Sequence, residues 1–250
     1  MVALKLTVVG CAPAYTARPG RSSSSYLVEN GSTRILLDLG AGSFPEIWRY
    51  TALGEIAAVF ISHMHADHNV DLIPLRHWVK YVNRGYGPAL YGPAELRARM
   101  GDFQADPGFL SDLAGEPLAP QTFAVGDLRI TAGRVTHIPD SFAFRISPAT
   151  SEGAGLVYSG DCGVADDLLP LVHEGDTLLS EAAWGAGNAE VPIHLTAAQA
   201  AQAAARGGAS NLILTHILDD RRESAARAAA AEVVAGDVKI AQPGLEVDIR

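Results

Sequence analysis

The stretch Ile61–Asn69, ISHMHADHN, places His63, His65, Asp67 and His68 within six positions of a chain that has only 8 histidines in all. It continues the apolar run AAVFIS (57–62), which reads as a strand, and leads into a helical pattern from Val70. In an extended segment, residues two apart project to the same side, so His63 and His65 can grip one metal ion together. Asp67 and His68 fall where the chain turns toward the helix and can reach a second. Imidazole and carboxylate together suit zinc, and also manganese or iron. A polar strand-to-helix loop whose imidazoles merely hydrogen-bond explains one histidine better than it explains this cluster.

A metal site is assembled from distant segments, so further ligands are expected at other strand ends. His137 follows the strand LRITAGRV, Asp161 follows GLVYSG, and His216 follows NLILT. His194, in VPIHLT, lies just before a helix. Each alone reads equally well as a satisfied structural residue; together they supply a full ligand set and one spare histidine. Asp38, in LLDLG, is either an acceptor that orients a ligand histidine or a strand-end turn residue.

The rest of the chain is organised around these positions. Short β-branched runs bounded by Gly, Pro, Asn or Asp predict strands at Leu4–Val9, Ser24–Glu29, Thr33–Asp38, Ile56–Ser62, Leu128–Val135, Phe142–Ile146, Gly155–Ser159, Thr177–Glu181, Asn211–Thr215, Val238–Ala241 and Leu245–Ile249. Helices are predicted at Ser43–Thr51, Val70–Val82, Ala94–Gly101, Ala197–Arg206 and Arg222–Ala235. Thr196 with Gln199 forms a capping box, and Gly207-Gly208 stops that helix. The segment Gly101–Gln121 reads as loop. Strands early and strand–helix alternation later predict an α/β layered sandwich, two sheets inside and helices outside.

Composition narrows the function classes. Hydrophobic residues make up 48% of the chain, as in an ordinary globular protein with a sizeable core. No apolar run approaches the roughly 20 residues of a membrane helix, and the N-terminus reads as a strand, not a secretory signal. A formal net charge of −9 argues against a long nucleic acid as the main partner. The two cysteines, Cys11 and Cys162, form no CxxC pair, so a reducing cytoplasm is the expected location.

At these residues the sequence resembles the metallo-β-lactamase-fold hydrolase superfamily. HMHADH matches its HxHxDH motif, and His137, SGD at Asp161 and LTH at His216 match the later metal motifs in order. VVGCA, SSYLVE, LLDLG, SEAAW, HLTAAQAA and LILTHI resemble the ribonuclease Z-like, phosphodiesterase-like branch. The resemblance implies a four-layer αββα sandwich in one domain, residues 1–250, with two divalent metal ions, zinc foremost and manganese or iron as alternatives. It implies that His63, His65 and His137 hold one ion, that Asp67, His68 and His216 hold the other, and that Asp161 bridges both. It implies that His194 is a catalytic non-ligand, and that the chain pairs as a homodimer. The interval from His137 to Asp161, where ribonuclease Z inserts its transfer-RNA-gripping arm, is short here, so transfer RNA is not the expected substrate. SGDC replaces the usual SGDT, and Cys162 is expected to be a small buried thiol.

The expected activity is hydrolysis of a small phosphodiester, a cyclic nucleotide or short oligonucleotide, by a hydroxide shared between two metals. Asp67 would orient the nucleophile. His194, placed before a helix N-terminus that favours an anion, would protonate the leaving oxygen. Two other classes remain open: hydrolysis of a sulfate ester, thioester, lactone or lactam on the same metal pair, and a non-catalytic, metal-stabilised domain that binds a nucleotide or partner. The stretch RHWVKYVNRGYGP (76–88) and the Gly-rich AAWGAGNAEVP (182–192) can shape a pocket. Trp78, Tyr81 and Trp184 either stack a base or belong to the core. Ser141 either touches substrate or starts a strand. His77 and His173 carry no motif.

Overall fold

The computed structural model describes residues 4–15, 18–83, 87–150, 153–189, 191–219 and 222–250. Its strands are β1 (Leu4–Gly10), β2 (Ser25–Asn30), β3 (Thr33–Leu37), β4 (Ile56–Phe60), β5 (Ala89–Tyr91), β6 (Gln121–Val125), β7 (Leu128–Val135), β8 (Ser141–Pro148), β9 (Leu156–Tyr158), β10 (Thr177–Glu181), β11 (Asn211–Thr215), β12 (Val238–Ile240) and β13 (Glu246–Ile249). Its α-helices are α1 (Ser43–Ile47), α2 (Ala66–Asn69), α3 (Leu72–Tyr81), α4 (Leu96–Phe103), α5 (Ala197–Gly207) and α6 (Glu223–Ala231). Every strand predicted from the sequence is present, most with ends moved by a residue or two.

The strands form two mixed sheets, ordered β13-β1-β2-β3-β4-β5 and β12-β11-β10-β9-β8-β7-β6. Side chains alternate across a strand, and here the alternation decides which layer each residue enters. Leu6, Val8, Tyr26, Phe60, Phe142, Phe144 and Ile146 face the core between the sheets. Val9, Leu27, Leu36 and Val59 turn outward against Leu72, Leu75 and Val79 of α3 and Leu96 of α4. On the other side Ala143, Val157, Leu178 and Leu212 meet the alanines of α5 and α6. The result is helix, sheet, sheet, helix, the sandwich expected from the pattern.

Strand direction explains where the site lies. β3 runs parallel to β4, and β9, β10 and β11 run parallel to one another. β7 and β9 are both antiparallel to β8, so β7 points the same way as β9. The residues just past β3, β4, β7, β9, β10 and β11 therefore gather along one rim. Ligand sites in α/β sheets favour the carboxyl ends of strands.

Two helical expectations change. The helix expected from Val70 begins earlier, at Ala66, and breaks before Leu72. The break has local causes: the Asp71 N–H donates to Leu39 O at 3.1 Å, and its carboxylate accepts the Phe44 N–H at 2.8 Å. Pro74, which cannot donate, sits in the first turn of α3, where its N–H is not needed. The helix expected over Ser43–Thr51 stops at Ile47. α5 has both halves of the capping box and ends at Gly208 with φ 79°.

The segment 101–121 is more ordered than its sequence suggests. α4 extends to Phe103, and β6 begins at Gln121. Arg97, on α4, donates to the carbonyls of Leu110 at 2.6 Å and Leu113 at 2.9 Å, and to those of Ala114 and Gly115 at 3.3 Å. One guanidinium thus ties four backbone carbonyls together, two of which, those of Leu110 and Ala114, also accept the N–H groups of Leu113 and Leu90. Replacing it should remove all four bonds: Arg97→Met should lower unfolding stability by about 2 kcal/mol. In that variant, amide exchange should accelerate across residues 108–118 and not in the sheets.

Candidate metal centre and active site

The centre is built on Asp38, which caps β3 in a left-handed conformation, φ 60°. Its carboxylate is fully buried. Oδ1 accepts the Ser62 N–H at 2.6 Å, and Oδ2 accepts the Ser62 hydroxyl at 2.8 Å, His68 Nδ1 at 2.7 Å and the Tyr158 hydroxyl at 2.6 Å. Asp38 is thus an orienting acceptor, one of the two roles its sequence allowed. Asn69, the last residue of ISHMHADHN, ties the loop to itself: its amide donates to the carbonyls of His63 at 3.3 Å and His65 at 2.8 Å. Gly40 lets the neighbouring loop pass, because a Cβ there would lie 1.9 Å from the Asp67 carbonyl oxygen.

These contacts fix which imidazole nitrogens face inward. The Ser62 hydroxyl spends its only proton on Asp38, so at 3.0 Å it must accept from His63 Nδ1. His63 then turns the bare lone pair of Nε2 into the cluster. His137 Nδ1 donates to Ile193 O at 2.6 Å, so its Nε2 is bare as well. Both bare nitrogens face His65 Nδ1, at 3.0 and 3.3 Å. One proton on His65 satisfies only one of them. A divalent cation among the three would satisfy all, so this donor set fits such an ion.

Asp161 lies between two groups of imidazoles. Oδ2 faces His63 Nε2 at 3.5 Å and His137 Nε2 at 3.8 Å. Oδ1 faces His68 Nε2 at 3.4 Å and His216 Nδ1 at 3.8 Å. Asp161 Oδ1, His68 Nε2 and His216 Nδ1 are all buried without a hydrogen-bond partner. Buried polar atoms are rarely left so, and three converging orphans are the signature of a cation's ligands. By donor-atom spacing, His63, His65, His137 and Asp161 form one candidate ion-holding group, and Asp67, His68 and His216 a second. A third group, Asp161, His194 and His216, overlaps both.

Charge within the cluster is unevenly held. Burial keeps His63 well below the ordinary imidazole range, lowers His65, and brings His137 down to about 4. Burial alone would lower His68 too, but Asp161, Asp38 and Asp67 outweigh it and hold the group at about 10. His216 moves upward against its burial, through Asp161 and its 3.0 Å bond to Asp67. Burial disfavours charge on Asp161, yet His216, His68, His63 and His194 pull its carboxyl below the usual range. Asp67 is likewise lowered despite burial, mainly by His216.

His194 stands at the edge of the cluster, half-buried, with Nδ1 3.0 Å from Glu181 Oε1 and 3.8 Å from Asp161 Oδ2. Glu181, at the end of β10, is buried. It also accepts the N–H groups of Cys162 at 3.0 Å and Ala183 at 2.8 Å. Burial pushes its carboxyl up, against the pull of His194. Glu181 is the residue beside the cluster that the sequence reading missed; its position at a strand end, in SEAAW, was the available signal. The N-terminus of α5 is not the open anion site expected beside His194. The Ala197 N–H bonds Gly185 O at 2.8 Å, and the Gln199 N–H bonds Thr196 Oγ1 at 3.2 Å.

The remaining expectations resolve as follows. Cys162 is a buried thiol that donates to Val164 O at 3.2 Å; burial raises it, and it is not among the candidate ion-holding groups of the described residues. Ser141 is buried beside Gly160 and does not reach solvent. Trp78 packs edge-on against Trp48 at the margin of the outer core. Tyr81 is exposed beside His77. Trp184 alone of the three lies at the centre, 6.1 Å from the His194 ring. His77 and His173 are exposed and outside the cluster. Residues 84–86 and 190 of the two pocket-shaping stretches lie outside the described residues.

The two mixed sheets between helices, with this His/Asp rim, define a metallo-β-lactamase-fold hydrolase. Residues 33–217 match the β-lactamase superfamily domain, and the chain belongs to that family. It is 33% identical to an uncharacterised protein of Mycobacterium tuberculosis, over 87% of this chain and 82% of that one. It is 28% identical to the probable metallo-hydrolase YhfI of Bacillus subtilis, over 96% and 98%. The crystal structure of YhfI superposes with a TM-score of 0.84 at 27% identity, covering 98% of this chain and 99% of that one. The ribonuclease Z of Myxococcus xanthus is 27% identical across all of this chain and 99% of its own. That alignment runs to 304 positions against 250 residues here, so the relative carries segments this chain lacks. Between His137 and Asp161 the described residues form β8 and β9.

Two measurements probe the centre. Coordination needs neutral imidazole, and His68 is protonated at pH 7 when its group sits at about 10. Loading zinc into metal-free protein should therefore release about one proton or more. It would be read as the slope of calorimetric enthalpy against buffer ionisation enthalpy; a flat line would refute it. Asp38→Asn cannot accept from all four donors and should weaken zinc binding about 10–100-fold in a competition titration.

Proposed function

We propose that this chain is a phosphodiesterase dependent on two divalent cations, zinc in the first place, acting on a small phosphodiester such as a cyclic nucleotide or short oligonucleotide. His63, His65 and His137 would hold one cation; Asp67, His68 and His216 would hold the other; Asp161 would span both. Both sheets supply these residues, which supports one hydrolase domain over the 250-residue chain. When bound, the cations supply Lewis acidity and lower the pKa of coordinated water.

The observation that carries this reading is the His194–Glu181 pair at the edge of the cluster. A structural metal site closes around its ion and has no need of a spare, carboxylate-backed histidine. Glu181 holds the proton on Nδ1, which leaves Nε2 as the nitrogen that meets substrate. From there His194 can donate to an oxygen leaving phosphorus, a group that departs poorly without a proton. Glu181 stabilises the charged imidazolium before that transfer. Asp67, bonded to His216, orients the attacking water. The short His137–Asp161 interval and the net charge of −9 support a small substrate over transfer RNA.

Hydrolysis of bis(p-nitrophenyl) phosphate by zinc- or manganese-loaded protein tests this directly. A chelator should abolish turnover; because p-nitrophenolate leaves without a proton, the role of His194 is read on an alkyl diester such as a cyclic nucleotide, where His194→Ala should lower kcat by about 10²–10⁴-fold and Glu181→Gln should lower it less. Full metal occupancy without turnover, combined with cleavage of a thioester, lactone or sulfate ester, would transfer the same residues to a different bond.

A further inference from the structure

The segment that carries His194 meets the centre through its backbone. In residues 191–194 the side chains of Val191 and Pro192 are exposed, so this strap is one chain thick, with solvent on its outer side. Two inner contacts tie it to the site. The Ile193 carbonyl accepts His137 Nδ1 at 2.6 Å, and His194 Nδ1 lies 3.0 Å from Glu181 Oε1. The first contact orients an imidazole of one candidate ion-holding group, and the second orients the proposed proton donor.

Gly163 lies directly beneath the strap. It is buried, and a Cβ built on it would lie 1.9 Å from Pro192 O, 2.3 Å from Pro192 C and 2.7 Å from Ile193 Cα, all of them backbone atoms. Its φ is not in the left-handed region, so space and not conformation requires the glycine. Gly163 is itself fixed to the body of the site. Its N–H donates to Thr136 O at 2.7 Å, one residue before His137. The N–H of its neighbour Cys162 donates at 3.0 Å to Glu181 Oε1, the same oxygen that faces His194 Nδ1. The body holding His137 and Glu181 thus lies on one side of Gly163, and the strap holding Ile193 O and His194 lies on the other. Non-bonded carbon and oxygen keep about 3 Å apart even in close contacts. A methyl group on residue 163 would therefore drive the strap outward by about 1 Å, which stretches both contacts out of good hydrogen-bond geometry.

We infer that Gly163 is a positioning residue of the proposed reaction: it seats residues 191–194 so that one backbone segment orients the candidate ligand His137 and aims the proton donor His194 together. The inference rests on the phosphodiesterase reading and adds to it that the metal centre and the proton donor are placed by one device.

The test uses leaving groups that differ in their need for a proton. Diphenyl phosphate releases phenolate, which leaves poorly unless protonated, and bis(p-nitrophenyl) phosphate releases p-nitrophenolate, which leaves without a proton. With saturating zinc, Gly163→Ala should lower kcat for diphenyl phosphate about tenfold or more relative to bis(p-nitrophenyl) phosphate. Zinc affinity in a competition titration should weaken about tenfold, and amide exchange at Ile193 and His194 should quicken in the metal-free protein. In a His194→Ala background the same substitution should change the kcat ratio no further, an outcome that a general loss of packing does not give. Equal falls in kcat for both substrates, or a native zinc affinity, would overturn the inference. If Gly163→Ala does not fold, Pro192→Gly decides. Its side chain is exposed, so the change frees the strap without a collision and should give both effects in smaller degree. A native kcat ratio and zinc affinity in that variant would overturn the inference equally. If neither diester is cleaved with metal bound, the phosphodiesterase reading fails on its own. Weakened zinc affinity with quickened exchange in Gly163→Ala would then still uphold the strap, and native values of both would refute it.

Discussion

A single buried carboxylate organises this molecule. Asp38 sits at zero exposure and accepts from the backbone and hydroxyl of Ser62, from His68 and from Tyr158. These donors come from the loop after β4, from α2 and from β9, so one side chain joins both sheets to the site. A carboxylate buried without such partners costs several kcal/mol, so the fold closes well only when all the donors are in place. The left-handed backbone at Asp38 is part of the same arrangement: it turns the chain at the end of β3 so that the carboxylate lies beneath the histidine loop.

The consequence runs outward through tautomers. Because Asp38 takes the Ser62 proton and the His68 Nδ1 proton, His63 and His68 both present bare Nε2 atoms to the cluster whenever they are neutral. Ile193 does the same for His137. Metal-free, the centre is a poor arrangement: lone pairs face one another, and the carboxylates around His68 and His216 draw both imidazoles toward their charged forms. The fold assembles it anyway, because the orienting partners are buried and fixed. That is preorganisation for a cation, with the cost carried by hydrogen bonds one shell away.

Much of this was legible in the sequence, for identifiable reasons. The histidine loop announces itself by density, and His137, Asp161 and His216 by following strong strand patterns. Tertiary contacts decided the rest. Glu181 looked like the last residue of a buried strand, and only the fold brings it to His194. Tyr158 and Ser62 gave no signal, since a buried tyrosine and a strand-end serine are ordinary. β5 is three residues long, and β6 is an exposed edge strand, so neither has the apolar alternation that marks a strand from sequence. Arg97 gave no signal, because its partners are backbone carbonyls, which no side-chain pattern reveals.

The distribution of charge argues for the scale of the substrate. The chain carries a net charge of −9, so a polyanion approaching its surface is repelled over the range that screening allows. On the proposed reading, a phosphate would be held at the rim between the sheets, mostly by metal ions and His194. A short diester needs only that rim. A long nucleic acid needs neutralising contacts along its length, and the sequence interval between His137 and Asp161 is short.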